Sequence, residues 1–255
     1  MVDLWITNST NHPCGAIIGD WNVSKVTDMT DVFYGKTTFN ADLTNWDTSS
    51  VTSLQGTFCE ATAFNGDISD WDTSSVTTML QTFCDASSFN GDISHWDTSS
   101  VTTLLQTFDS ASAFNGDLSR WITSSVTSLE KTFLWATSFN SSISDWDTSS
   151  VTSLFSTFQA ATSFTGDCIS NWDTSRVTSL KDLFQSADAF NGNISNWNTS
   201  RVENLRSVFK LAGSFNGDIS RWDTSEVTTS SYMFSHAKSF NGDISRWDVS
   251  KVTSL

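Results

Sequence analysis

The sequence predicts a repeat solenoid, and three observations carry that prediction. A tryptophan returns every 25 residues from Trp21 to Trp146 and again from Trp172 to Trp247. Two phenylalanine columns keep the same period, one running from Phe39 to Phe240 and the other from Phe33 to Phe234. Aliphatic columns follow, with Ile68, Ile93 and Leu118 before the tryptophan and Val76, Val101 and Val126 after it. A fixed period of about 20–50 residues is the mark of stacked units that each lack a core of their own. Eighteen of the 19 phenylalanines fall in the two columns, Phe155 being the exception, so the aromatics read as a stacked core.

The unit is clearest at residues 64–88, FNGDISDWDTSSVTTMLQTFCDASS. Gly-Asp-Ile-Ser reads as a short parallel strand with Ile68 inward and Asp67 and Ser69 outward. Asp-Thr-Ser-Ser after the tryptophan reads as a turn in which the Asp side chain accepts backbone N–H groups. An extended Val-Thr segment follows. Leu104, Phe108, Ala111 and Phe114 lie at i, i+4, i+7 and i+10, which predicts a short helix of about two turns. Thr127 and Glu130 have capping-box spacing at one such start. The small Ala61, Ala86 and Ala111 column would let that helix approach the strand layer. Cys168 is an insertion that makes one unit 26 residues long, to be absorbed as a bulge or a wider corner.

The 38% of apolar residues are concentrated in these columns, so the chain can bury a long, narrow core despite its wealth of Ser and Thr. Thirteen basic against 28 acidic residues give a net charge of −15. No basic stripe is available to neutralise phosphates, so no nucleic-acid partner is expected. No run of about 18 apolar residues exists, so no membrane span is expected either. Residues 1–38 read as an N-terminal cap and degenerate first unit containing Trp5 and Pro13. Residues 39–255 read as eight full repeats plus one incomplete repeat. The sequence stops at Leu255 in mid-unit. The expectation is therefore that the natural chain continues, or that a partner or a second copy covers that uncapped end.

The last unit reads Phe240, Asn241, Asp243, Ile244, Ser245, Trp247, Asp248, Val252 and Thr253 at its marked positions. This spelling resembles the BspA-like branch of the leucine-rich repeats. More narrowly, it resembles the 25–26-residue repeats of mycoplasma surface lipoproteins and of unicellular marine algae. The resemblance covers essentially the whole chain. It implies a right-handed, leucine-rich-repeat-like coil and an extracellular or cell-surface setting. It implies no catalytic residues.

Repetition stacks like on like, so two aspartate ladders arise, one through Asp67, Asp92 and Asp117 and one through Asp72, Asp97 and Asp147. Carboxylates about 5 Å apart repel. Backbone N–H groups at each corner are the expected offset. A row of Ca²⁺ ions is the alternative, but each unit has one Gly and its Asp residues are five apart, so no cofactor is assigned. Cys59 and Cys84 share a column that also holds Asp109 and Lys210, which places it at the surface, with a disulfide between them an open alternative. Thr73 and Thr77, four apart across a turn, do not make the flat Thr-x-Thr face an ice-binding solenoid needs. His12, His95 and His236 are many coils apart, so no enzyme site is expected.

Units differ most clearly just before the tryptophan, at Asp70, His95, Arg120, Asp145, Arg221 and Arg246, with Asn45, Asn171 and Asn196 between. Variable, solvent-facing positions of a repeat are where recognition resides. These six are the candidate binding residues, for a protein or glycan partner, in a non-enzymatic interaction module. The alternative function is a structural subunit of a surface coat or filament.

Overall fold

A computed structural model of the chain describes Gly15 and residues 17–254. The N-terminal cap with Trp5 and Pro13 lies outside the described residues. From Ile18 onward the chain is a solenoid, one coil per 25-residue unit, with the aromatic columns stacked along its axis. Phe58, Phe83, Phe108 and Phe133 follow one another at ring-centroid spacings of 5.6 Å. Within a coil the two phenylalanines meet face to face, as Phe83 does with Phe89 at 4.0 Å. Each such pair adds about 0.5–1.5 kcal/mol beyond the area it buries. The tryptophans form a third stack, Trp71 lying 6.2 Å from Trp96. From Trp46 to Trp247 each indole N–H of this stack donates to a carbonyl one coil back. Trp71 Nε1 donates to the carbonyl of Leu43 and Trp96 Nε1 to that of Ile68, one coil back.

The helix expected over Leu104–Phe114 is absent, and so are its counterparts in the other coils. Among the described residues the one helical element is a 3-10 turn, Ile18–Asp20. Backbone N–H groups alternate between two partners instead. Thr107, Asp109 and Ala111 each donate three residues back, to Leu104, Gln106 and Phe108. Gln106, Phe108 and Ser110 between them donate to Glu130, Thr132 and Leu134 of the next coil. A helix would consume all of these donors locally. The stacked neighbour offers carbonyls in register, and a ladder of overlapping turns uses them.

That ladder needs left-handed residues at the third position of alternate turns, as type II turns do. Gln106 at φ 56° and Ser110 at φ 59° supply them here, and Gln81 and Asp85 in the coil before. The apolar spacing that suggested a helix survives, because successive turns also aim Leu104, Phe108 and Ala111 inward. The capping-box reading fails for the same reason. The Glu130 N–H is taken by Ser128 Oγ at 3.3 Å, with no helix to start.

Parallel pairing is present, but not at Gly-Asp-Ile-Ser. That segment is a turn closed by Trp71 N–H on the Ile68 carbonyl. Isolated parallel bridges fall instead just after the Val-Thr step, linking Ser128 to Ser153 and Ser153 to Ser179. Thr77 N–H donates to the Thr52 carbonyl and Thr102 N–H to that of Thr77. The inserted residue Cys168 is absorbed as one extra turn, in which Ile169 N–H reaches the Gly166 carbonyl and Gly166 takes φ 80°. A side chain at Gly166 would run into the Phe190 ring and the Gly192 backbone.

Ring planes change direction little from coil to coil. Trp rings of adjacent coils are 1–4° apart, as for Trp46–Trp71, Trp71–Trp96 and Trp121–Trp146. Phe rings are 2–12° apart along the column from Phe33 to Phe234 and 3–19° apart along the column from Phe39 to Phe240. The two ring families are inclined to each other by about 30°, Phe83 and Trp96 by 31°.

Candidate functional site

Three kinds of surface run along the solenoid. The first is the corner around the Asp ladders. Asp72 accepts the Ser74 N–H and Oγ at 3.0 and 2.6 Å, and Asp97, Asp147 and Asp173 likewise accept the N–H two residues on. The Ser74 hydroxyl, and then its N–H, hold Asp72 below the usual carboxylate range. Asp92 and Asp117 are lowered as well, by the N–H groups of Ser94 and Ser119 first. The repulsion expected along these ladders is therefore met by local donors. Among the described residues no three His, Cys, Asp or Glu side chains converge as a metal site would require.

The six candidate residues before the tryptophan occupy the same corner, at the third position of the turn closed by the Trp N–H. They are not on a strand face. Asp70, His95, Arg120, Asp145, Arg221 and Arg246 are all exposed. The structure brings His95 and Arg120 together, with Arg120 Nη1 3.3 Å from His95 Nδ1.

The second surface is the ladder of left-handed turns. The supposed helix concealed its variability. Positions that carry Gln81 and Asp85 in one coil carry Lys131 and Trp135, or Ser207 and Leu211, in others. Trp135 is 54% exposed at φ 57°. Phe155, the one phenylalanine outside the core columns, lies on this side beneath Lys181 and Lys131, at 4.7 and 5.8 Å. Its departure from the aromatic frame was the available signal. The Cys column also belongs to this side but is buried, not exposed, since the paired turns enclose it. Cys59 and Cys84, both free thiols, are 5% exposed, and Asp109 beyond them is 7% exposed. Hydrogen bonding to Cys59 first, and burial second, push the Cys84 thiol up. Burial pushes the Asp109 carboxyl up against the opposing help of Gln106 and Ser110.

The third surface is chemically constant over five coils. Of the threonine columns considered from the sequence, Thr48, Thr73 and Thr98 are buried, their hydroxyls donating to carbonyls of the next coil. The outward pair is a different one. Val76 points into the core, so Ser75 and Thr77 on either side of it face outward together. Five consecutive coils repeat this: Ser50 and Thr52, Ser75 and Thr77, Ser100 and Thr102, Ser125 and Thr127, Ser150 and Thr152. All five threonines are exposed. Their hydroxyls are oriented alike, Thr77 Oγ1 donating to the Thr52 carbonyl and Thr102 Oγ1 to that of Thr77, both at 3.2 Å. Ser75 and Ser125 donate to the Ser49 and Ser99 carbonyls in the same sense. Charges bound the array, with Lys25 before it and Arg176, Arg201 and Glu203 after it. A shallow groove runs from Thr127, Ser150 and Thr152 of the array to Arg176, Arg201 and Glu203.

No helix among the described residues is long and apolar enough to cross a membrane. Residues 6–118, 91–170 and 152–255 each match the family model described as "Mycoplasma protein of unknown function, DUF285". A search of curated proteins gives no match.

Proposed function

The chain belongs to the DUF285 repeat family of mycoplasma type, and from that premise we propose a non-enzymatic, extracellular or cell-surface binding module that recognises its partner with the Ser/Thr face. One observation carries this reading. The column before the tryptophan and the turn-ladder columns diverge, yet ten hydroxyls on this face stay the same across five coils. Valine would serve the extended backbone at Thr77 or Thr102 as well as threonine does. A face that is identical over five coils suits a partner that repeats with the coil, such as an extended polymer or an ordered surface. A single folded protein would favour the variable columns instead. Kinship with the BspA-like surface proteins and a right-handed coil, the usual sense for parallel connections, are parts of the same proposal.

The test is depletion of the purified chain from solution by insoluble chitin, cellulose, peptidoglycan and ice. At least one of these should retain the chain. Replacement Thr102→Tyr, at the centre of the Ser/Thr face, should reduce retention about tenfold or more, and Trp135→Ala on the turn ladder should leave it unchanged. Retention that survives Thr102→Tyr and is lost with Trp135→Ala would transfer the binding site to the turn ladder.

A further inference from the structure

We propose that the turn-ladder face joins two copies of this chain in an antiparallel pair centred on Trp135. The inference goes beyond the Ser/Thr reading and uses none of that face's residues. The charge of the ladder changes sign along the stack. Segments 55–60, 80–85 and 105–110 hold three acids, Glu60, Asp85 and Asp109, and no base. Segments 155–160, 181–186 and 206–211 hold three bases, Lys181, Arg206 and Lys210, and one acid, Asp182. Segment 130–135 between them is balanced, with Glu130 beside Lys131. In a chain of net charge −15 such a basic stretch is an exception.

Apolar exposure follows the same face. Tyr34, Trp135, Leu211 and Tyr232 are 41–60% exposed. Trp135 is the one that the fold explains least. Its left-handed position is filled by Ala160 and Ser186 in the next two coils, at φ 57° and 59°, so neither the turn nor the core requires an indole there. An exposed aromatic ringed by charged and polar groups has the composition of an interface centre.

A twofold axis through the middle segment makes these features complementary, because in an isologous pair one surface meets itself. Trp135 then packs on its counterpart in the second copy. The half-buried Leu105 and Phe155, one coil to either side and in the same column, face each other. Three coils to either side, Glu60 of one copy comes opposite Lys210 of the other, and that contact forms twice. Asp85 comes opposite the coil of Lys181. Glu130 and Lys131, in adjoining columns, meet across the axis with opposite signs. A parallel pair would instead set acid against acid and base against base. Screening removes repulsion between the two acidic chains beyond about 8 Å at physiological ionic strength, and groups in contact still pair.

The test is sedimentation equilibrium of the whole chain at physiological ionic strength. The wild type should approach twice its 28.1 kDa chain mass as concentration rises through the micromolar range. Glu60→Lys and Lys210→Glu should each raise the dissociation constant about tenfold or more. An equimolar mixture of those two variant chains should recover the wild-type value, because each copy then meets the opposite charge at both places. Trp135→Ala should weaken the pair by about the same factor. Well below the dissociation constant only single chains are sampled, and there Trp135→Ala leaves retention on insoluble supports unchanged. A wild type that stays monomeric throughout that range overturns the proposal. So does a dimer that both charge reversals leave intact, or one that they weaken without recovery in the mixture. Where a charge reversal lowers the melting temperature, Trp135→Ala decides, and an unweakened dimer overturns the proposal.

Discussion

Asp109 sits in the column that elsewhere holds Cys59 and Cys84, and it brings a carboxyl into a site 7% exposed. Desolvation raises its pKa above the ordinary carboxylate value of 3.8, more than Gln106 and Ser110 lower it. The folded chain therefore holds this proton more tightly than the unfolded chain, and the stabilisation it brings is lost as pH rises through the raised value. Asp109→Asn should accordingly raise the melting temperature at pH 7 by about 2–4 °C, the shift that roughly 1 kcal/mol produces in a chain of this size. The gain should shrink towards zero as pH falls below 4. Corner carboxylates such as Asp72 act in the opposite sense. Their pKa is lowered by the Ser hydroxyl and N–H, so their contribution is present at neutral pH and lost as pH falls below 3.8. Because those carboxylates are already satisfied by protein donors, chelation with EDTA should leave the melting temperature unchanged. A marked drop would instead make calcium part of the native state.

At the scale of the element, the coil segment from Leu104 to Phe114 shows what periodicity can and cannot decide. Apolar residues at i, i+4 and i+7 fit one face of a helix, and they also fit successive turns that aim the same side chains inward. The choice between the two is made by partners outside the segment. A neighbouring coil offers Glu130, Thr132 and Leu134 carbonyls in register, and the odd and even N–H groups divide between the coils. No sequence window short enough to show the helical period contains that neighbour. The price of the ladder is the left-handed backbone of side-chain-bearing residues, about 1–3 kcal/mol each. Asp85, exposed at φ 55°, is a clear case. Asp85→Gly should stabilise the chain by about 1 kcal/mol, whereas glycine inside a helix would cost about as much. Chemical denaturation of the two proteins decides the sign.

At the scale of the whole molecule, the solenoid and its core were legible because packing repeats. Phe83, Phe108, Val101 and Trp96 are where their columns place them, and the Asx turns at Asp72 and Asp97 form as their spelling indicates. The surface was less legible. Which of Thr73 and Thr77 faces outward depends on where the turns fall, and the helix reading left the left-handed columns unnoticed. Once the turns are placed, Val76 inward fixes Ser75 and Thr77 outward. That face is constant over five coils, whereas the column before the tryptophan and the left-handed columns vary.

The decisive contrast is between that constant face and the variable corner. A single chain in which Asp70, His95, Arg120, Asp145, Arg221 and Arg246 are all replaced by Asn, the residue their column already holds at Asn45, Asn171 and Asn196, removes the corner chemistry and leaves the fold. Its adsorption isotherm on ice and on insoluble polysaccharide should coincide with that of the wild type if the Ser/Thr face is the recognition surface. Loss of adsorption in the corner-substituted chain, or no adsorption by the wild type to either surface, would contradict it.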